Sequence, residues 1–396
     1  MSLVVFPFTD EDPSTLISNI RTAAEHPSIR HVLAIGLRQN RIFTEVCNAL
    51  DNIRTTSEAE IDIILQDRLG NRRSGKGDAM NTGLHYFLSR TSLGRIHFYD
   101  ADITSFSADW ISKAECAADA GCDVVKHYYP RARCDAMITW MITRPGFAIL
   151  WPRTYLSQIH QPLGGELLVS RKVASQLLAD SRVREQSDWG IDTMYTFAFA
   201  AMGCDVHEVY MEVGKQHRLY GSLSELKTML IECFTTIKKL QTETVRPAGS
   251  LTTNACTSIP DAIRHGIGFD IEATLGLLME NWTSKQEDYL REHFPEIAPL
   301  MLLNQRRSTF KFMNSMIWFD VYRKLLRAFI SDDVDWQELL FKLWLTRVLN
   351  YVTTTAIRGF DFSLLQLQRE IGAYRERQTS VISIPTPLRS LTSCEN

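Results

Sequence analysis

Two carboxylates one residue apart, Asp100 and Asp102, close the apolar run Ile96-His97-Phe98-Tyr99. On an extended backbone, alternate side chains face the same way, so both would project together from the carboxyl end of a strand. In open α/β sheets, ligands bind outside that end. Paired carboxylates there invite a hard divalent cation, Mg²⁺ or Mn²⁺, able to neutralise a diphosphate beside them. An Asp-rich turn after a strand gives the same short pattern. Its surroundings must decide.

Upstream, the segment Gly70-Asn-Arg-Arg-Ser-Gly75-Lys76-Gly77 falls one residue short of the P-loop pattern G-x-x-x-x-G-K-[ST]. Gly77 stands where the Mg²⁺-holding hydroxyl belongs, which excludes a P-loop nucleotidase. A glycine loop, a lysine and a following helix start still suit a phosphate-bearing ligand. A solvated basic loop built on Arg68, Arg72 and Arg73 is the plainer alternative.

The elements that must hold these residues alternate. Apolar runs predict strands at 3–6, 31–37, 61–66, 95–99 and 123–128, with amphipathic helices at 13–24, 40–53, 78–88 and 107–118. This alternation argues for a mostly parallel α/β sheet with helices on both faces. Later runs at 166–169 and 206–211, with helices near 172–178 and 191–202, would add an antiparallel strand at the sheet edge. After Tyr220 the period becomes helical: Ser222 and Glu225 form a capping box, and Leu226, Leu230, Cys233, Ile237 and Leu240 recur at helical spacing. Thr242–Pro260 reads as a linker or long loop. Helical signals then run to about Arg375. Stripes formed by Phe312, Met316, Phe319 and Arg323, and by Leu340, Trp344, Val348 and Tyr351, predict core or a subunit interface. The division expected is a catalytic domain at 1–220, a helical domain at 221–378 with a role in homo-oligomerisation, and a flexible tail at 379–396.

Composition narrows the function. With 43 Lys and Arg against 46 Asp and Glu in 396 residues, no general attraction to nucleic acid is expected. The eight cysteines are scattered without a C-x-x-C pair, which disfavours structural zinc and fits a reduced, cytoplasmic setting. A strand from the first residues leaves no room for a signal core, and no apolar run approaches the ~18 residues of a membrane span.

Four segments in order, Pro7-Phe8-Thr9-Asp10, Gln66-Asp67, Gly75-Lys76-Gly77-Asp78-Ala79-Met80-Asn81-Thr82-Gly83 and Asp100-Ala101-Asp102, are similar to the nucleotide pocket, G-K-G helix start and D-x-D motif of GT-A glycosyltransferases. With Arg131–Trp140, Leu163-Gly164-Gly165-Glu166, Asp188–Asp192 and Gln216-His217-Arg218-Leu219-Tyr220, the whole chain resembles the mannosylglycerate synthases, GDP-mannose-dependent retaining enzymes of that class. The resemblance implies a GT-A sheet followed by a helical half, and transfer of mannose from GDP-mannose to D-glycerate, giving a compatible solute.

It also implies roles. Pro7, Phe8, Thr9, Asp10 and Gln66 would line the guanosine pocket, and Gln66 can both donate to and accept from a base edge. Lys76 would face the diphosphate or sugar. Asp100 and Ala101 would hold the sugar nucleotide, and Asp102 with His217 the metal, Mg²⁺ or Mn²⁺, with Ca²⁺ a further option. Arg218 and Tyr220 would stabilise the departing GDP. Arg131 would take the acceptor carboxylate, helped by Ala136, Met137, Ile138 and Thr139, with Asp135 as a cap. Asp192 would bind mannose hydroxyls. Leu163, where a nucleophile would be sought, has no nucleophilic atom, which favours same-face attack assisted by the leaving phosphate. Alternatives are another acceptor, either 3-phosphoglycerate drawing on Arg133 and Lys126 or another 2-hydroxy acid, or a non-catalytic sugar-nucleotide-binding oligomeric scaffold.

Overall fold

In a computed structural model, residues 1–216, 223–266, 270–280, 282–303 and 312–382 are described. Eight strands form one sheet: β1 (Ser2–Phe8), β2 (Ile29–Gly36), β3 (Glu60–Leu65), β4 (Arg95–Phe98), β5 (Val124–Tyr128), β6 (Leu167–Ser170), β7 (Val206–Tyr210) and β8 (Leu251–Thr253). Their order is β3-β2-β1-β4-β6-β5-β7-β8. β6 runs antiparallel to β4 and β5, and the remaining pairs are parallel. The strands of the centre are buried almost continuously, as a sheet covered on both faces requires. Helices Pro13–Ala24, Arg41–Arg54 and Ala108–Asp119 cover one face; Lys76–Arg90 and Arg171–Ala179 cover the other. Asp12 caps the first helix by accepting from the Thr15 N–H, and Pro13 supplies its first turn.

Three expectations need correction. The antiparallel strand lies inside the sheet, between β4 and β5, and not at its edge. The reason is the long connection at 129–166, which crosses the carboxyl edge and re-enters from there. It thereby delivers Leu163–Glu166 to the edge where the parallel strands end. The expected linker at 242–260 contains β8, a three-residue edge strand too short to show a period; Asp205 anchors its start by accepting from the Ser250 N–H and hydroxyl. The last helix, Phe360–Ile382, runs through the first residues of the expected tail, whose remainder at 383–396 lies outside the described residues, as does Ser222 of the capping box.

The helical half centres on Val334–Thr354, which is buried around its whole circumference. Leu340, Trp344, Val348 and Tyr351 are fully buried there, so that stripe is internal core and not an exposed interface. Phe319 is likewise buried, while Met316 is 38% exposed. A second helix missed by the sequence reading, Thr139–Leu150, opens with a π turn at Thr139–Thr143 just before Pro145. Pro145 has no N–H, so the Met141 carbonyl four residues earlier is released. It accepts from Trp318 Nε1 at 2.9 Å, and the Ile142 carbonyl accepts from the Tyr322 hydroxyl at 2.8 Å. A side chain at Gly146 would collide with that same hydroxyl. The helical half therefore grips the helix that follows Arg131 from behind.

His127, fully buried on β5, faces the Trp110 carbonyl at 2.8 Å. Burial pushes its imidazole down to about 4, against the pull of the Trp110 and Glu166 carbonyls. As pH falls, an unfolded imidazole takes its proton first, near ~6.5. The stability His127 supplies is thus complete above about 6.5 and lost on the way down to about 4, by about 3 kcal/mol in all. Melting temperatures over that range should fall in the wild type, and the gap to His127→Gln should narrow towards acid. A gap independent of pH would contradict this.

Candidate active site

The site sits at the carboxyl edge between β1 and β4, where the chain turns away in opposite directions: β1 leads towards β2 and β4 towards β5. Its floor is a buried chain of alternating charge. Lys76, at the start of helix Lys76–Arg90, places Nζ 2.9 Å from Asp100 Oδ1 and 3.0 Å from Asp192 Oδ2. Lys215 Nζ bridges the other Asp100 oxygen and, at 2.6 Å, Glu166 Oε1. The Tyr129 hydroxyl donates to Glu166 Oε2 at 3.2 Å. Two ammonium groups thus alternate with three carboxylates, and Glu166 is completely inaccessible.

The field at each group follows from its neighbours. Burial opposes charge on Asp100, yet Lys215 and Lys76 outweigh it and hold the carboxyl well below the usual range. Both lysines are correspondingly held above theirs, burial notwithstanding. Asp192 is different: burial dominates and raises its carboxyl despite Lys76. The close approach depends on Gly165, where a Cβ would collide with Lys76 Nζ and Asp100 Oδ1. At Gly77 a Cβ would strike the Gln186 and Ser187 backbone.

Several sequence expectations change here. β4 ends at Phe98, and Ala101-Asp102 form a turn. The two carboxylates therefore do not share a strand face: Asp100 joins the lysines, while Asp102 lines a neighbouring cavity of about 520 Å³ with Glu11, Arg131 and Asp135. The glycine loop is no phosphate cradle either. Asp78 Oδ1 accepts from the Leu69 and Gly70 N–H groups, filling the place an anion would need, and its other oxygen pairs with Arg68 at 2.7 Å. Arg73 pairs with Glu232 over the Trp189 ring. Only Lys76 of this segment reaches the site.

Pro7 and Phe8 end β1, beside the ends of β2 and β3, and Phe8 stacks on Phe43. Gln66 Nε2 donates to Ser74, leaving its Oε1 buried without a partner. Thr9 uses its N–H on Glu11 and its carbonyl on Asn40. Asp10 is tied to Arg38 and Asn40, so its carboxylate is already engaged at this edge. At the opposite end of the site Asp192 Oδ1 is also buried and unpartnered. Buried acceptors in folded proteins are normally satisfied, and exceptions mark places where something else belongs.

On the acceptor side, Arg131 Nε donates to Asp135 Oδ2 at 2.8 Å and its Nη1 to Gln161 Oε1 at 3.3 Å. Asp135 Oδ1 accepts from the Ala136 N–H, one residue ahead of the helix start, and so does not cap the helix's own first-turn N–H groups. Ala136 adopts φ 59°, turning the chain into the helix that starts at Met137. Met137, Ile138 and Thr139 thus lie in a helix's first turn, whose N–H groups have no acceptor within the helix and suit an anion. Leu163 is part-buried in a loop pinned on both sides: the Lys126 ammonium donates to the Gly164 carbonyl at 3.1 Å, and Gly164 N–H to the Gln161 carbonyl. His217, Arg218 and Tyr220 lie outside the described residues. The chain leading to them is placed: the Thr104 N–H and hydroxyl donate to the Gln216 carbonyl, two residues from Asp102.

The sequence reading missed Lys215 as a site residue and Glu166 as its partner. A lysine two residues before His217 and a glutamate after Gly164-Gly165 were visible, but nothing in the sequence put them together.

Comparison with known proteins settles the family. A model of the mannosylglycerate synthase GT domain matches residues 2–239, and one of the mannosylglycerate synthase C-terminal domain matches 263–371. The chain belongs to the mannosylglycerate synthase family. A mannosylglycerate synthase from Rhodothermus marinus is 51% identical over 375 residues, covering 95% of this chain and 94% of that protein. One from Selaginella moellendorffii is 47% identical over 386 residues, covering 97% and 91%. A solved glucosyl-3-phosphoglycerate synthase from Mycobacterium tuberculosis is more distant, with a TM-score of 0.49 and 19% identity over 61% of this chain and 78% of that one. As a member of the mannosylglycerate synthase family the chain is a glycosyltransferase, its mixed sheet followed by a helical region, that transfers a glycosyl group to glycerate.

Proposed function

We propose that the donor is GDP-mannose, that a divalent cation, Mg²⁺ or Mn²⁺, assists, and that mannose reaches D-glycerate with retention of its anomeric configuration. The observation that carries this reading is that two of the buried side-chain acceptors left without a partner among the described residues, Gln66 Oε1 and Asp192 Oδ1, belong to this site. Gln66 Oε1 can take an N–H of the guanine edge, and Asp192 Oδ1 a mannose hydroxyl. Lys76 and Asp100 lie between those ends, suited to the diphosphate and to sugar-nucleotide hydroxyls respectively, with Ala101 alongside.

Among the described residues no group of three or more His, Cys, Asp or Glu side chains is placed to hold an ion, so the cation proposed here draws on Asp102 together with His217. Burial raises the Glu11 carboxyl, and the negative charges of Asp102 and Asp100 raise it further against two backbone N–H groups, so the field near Asp102 favours a positive charge. Asp102 and His217 would hold the cation, which when bound neutralises charge on the diphosphate. Arg218 and Tyr220 are assigned to the departing GDP. Arg131 and the helix start at Ala136–Thr139 receive the acceptor carboxylate. Asp100 and Glu166 are locked against ammonium groups, Asp192 pairs through Oδ2 with Lys76 and is assigned through Oδ1 to a mannose hydroxyl, and Leu163 offers no nucleophile; this supports same-face attack without a covalent intermediate.

A phosphorylated acceptor is disfavoured. Arg133 gives its terminal nitrogens to the Ala356 and His265 carbonyls, and Lys126 is buried on Gly164. The proposal keeps the division into a catalytic domain to residue 220 and a helical domain to 378, cytoplasmic residence and self-association into a homo-oligomer. Seven described cysteines are unpaired, and among the described residues no helix is long and apolar enough to cross a membrane. GDP release should require GDP-mannose, D-glycerate and added cation together, and 3-phosphoglycerate should replace D-glycerate poorly. Release sustained by UDP-glucose at an equal rate would reject the donor, and release unchanged by chelation would reject the cation.

A further inference from the structure

Arg131 lies on the wall between two cavities. One is the Asp102 cavity. The other, of about 350 Å³, extends from Arg131 into the seam between the sheet and the helical half. That volume is typical of a small-molecule site and far exceeds what the hydroxymethyl group of glycerate occupies.

The chemistry of this second cavity is polarised. Arg131 and Gln161 line it where it adjoins the first cavity, and Arg133 lines it too, with its terminal nitrogens on the Ala356 and His265 carbonyls. Beyond them the walls present ring faces, because the polar ends of the aromatic residues are used elsewhere. The hydroxyls of Tyr128, Tyr210 and Tyr351 donate to the carbonyls of Asn254, Ser258 and Arg133. His160 stacks on Tyr128 with centroids 4.5 Å apart, and its Nδ1 is engaged by buried Glu208 at 2.8 Å. Leu364, Leu367 and Phe360 close the far side from the last helix. Arg131 on one wall and a run of aromatic and aliphatic side chains on the others fit a small molecule with an anionic head and an apolar body.

We infer that the acceptor site accepts 2-hydroxy acids bearing an aromatic or branched side chain, with the carboxylate on Arg131 and the side chain in this cavity. The inference rests on Arg131 being the acceptor arginine. Attack is by the same hydroxyl: its oxygen bonds to the sugar's anomeric carbon, the bond to the diphosphate breaks, and the hydroxyl proton leaves with the GDP phosphate. The side chain takes no part in the chemistry, so only its binding decides whether an acid is used.

The test compares D-glycerate, D-lactate and D-3-phenyllactate as acceptors, product being followed by mass spectrometry. Phenyllactate should exceed lactate in kcat/KM by about tenfold or more, since apolar groups filling a pocket are worth that much. Leu364→Trp, which fills the cavity from the helical side, should lower phenyllactate turnover by at least about tenfold and leave glycerate within about twofold. Gln368→Trp, on the exposed side of the same helix, repeats the test where packing is less sensitive. Phenyllactate no better than lactate, or equal losses for both acids in the variants, overturns the inference. Failure of wild-type enzyme to use glycerate would instead reject the acceptor reading beneath it.

Discussion

Asp102→Ala is expected to lower kcat by about a thousandfold and to abolish the response to added Mg²⁺ or Mn²⁺, the scale of losing one main electrostatic partner of a developing charge. Asp102 lines its cavity with Glu11, and the charges of Asp102 and of nearby Asp100 raise the Glu11 carboxyl above its ordinary value. Such mutual repulsion is relieved by a cation and aggravated without one. Asp100→Asn should behave differently: the donor KM rises while cation dependence persists, because Asp100 is engaged by Lys76 and Lys215. Titrating cation against turnover for both variants separates the two carboxylates. Cation-stimulated turnover by Asp102→Ala within tenfold of wild type would remove Asp102 from the metal.

Lys215→Met is expected to lower both stability and activity. It leaves Asp100 and inaccessible Glu166 facing each other with one cation fewer, and breaking a buried pair costs about 3–5 kcal/mol. The melting temperature should drop clearly, and kcat/KM should fall about a hundredfold as Asp100 loses its orientation. Adding Glu166→Gln removes the stranded charge, so the double variant should regain most of the melting temperature. Activity should not return, because Asp100 still lacks its second ammonium group. Parallel recovery of both would mean that Lys215 acts on stability alone; an unchanged melting temperature in the single variant would mean that the pair is not formed.

Local signals explain what could be read ahead of the structure. Pro13 and the Asp12 cap fix the first helix at the residues the periodicity predicts. Of the parallel strands, β1 to β5 and β7 were each found within two residues of their observed ends, while three-residue β8 was not. Gly165 and Gly77 stand where backbone or charged groups approach too closely for any side chain, which is why a G-K-G and a G-G segment mark the site.

What was not legible depends on contacts far apart in the chain. Lys215 meets Asp100 across 115 residues, and a buried lysine has no periodic signature. The antiparallel insertion of β6 is set by a crossing connection, not by the four residues of the strand. The helix at 139–150 carries a proline, Pro145, and the carbonyls of Met141 and Ile142 are satisfied by Trp318 and Tyr322 from the helical half, 177 and 180 residues away in the chain. The loop at Gly70 looked like a phosphate cradle because its pattern does not reveal that Asp78 occupies it.

The most direct measurement is NMR of the product formed from GDP-mannose, D-glycerate and Mg²⁺. The reading predicts a single mannosyl group joined through the 2-hydroxyl of glycerate, with the α-anomeric configuration of the donor kept. A β-linked product, or GDP released with free mannose and unmodified glycerate, would contradict it.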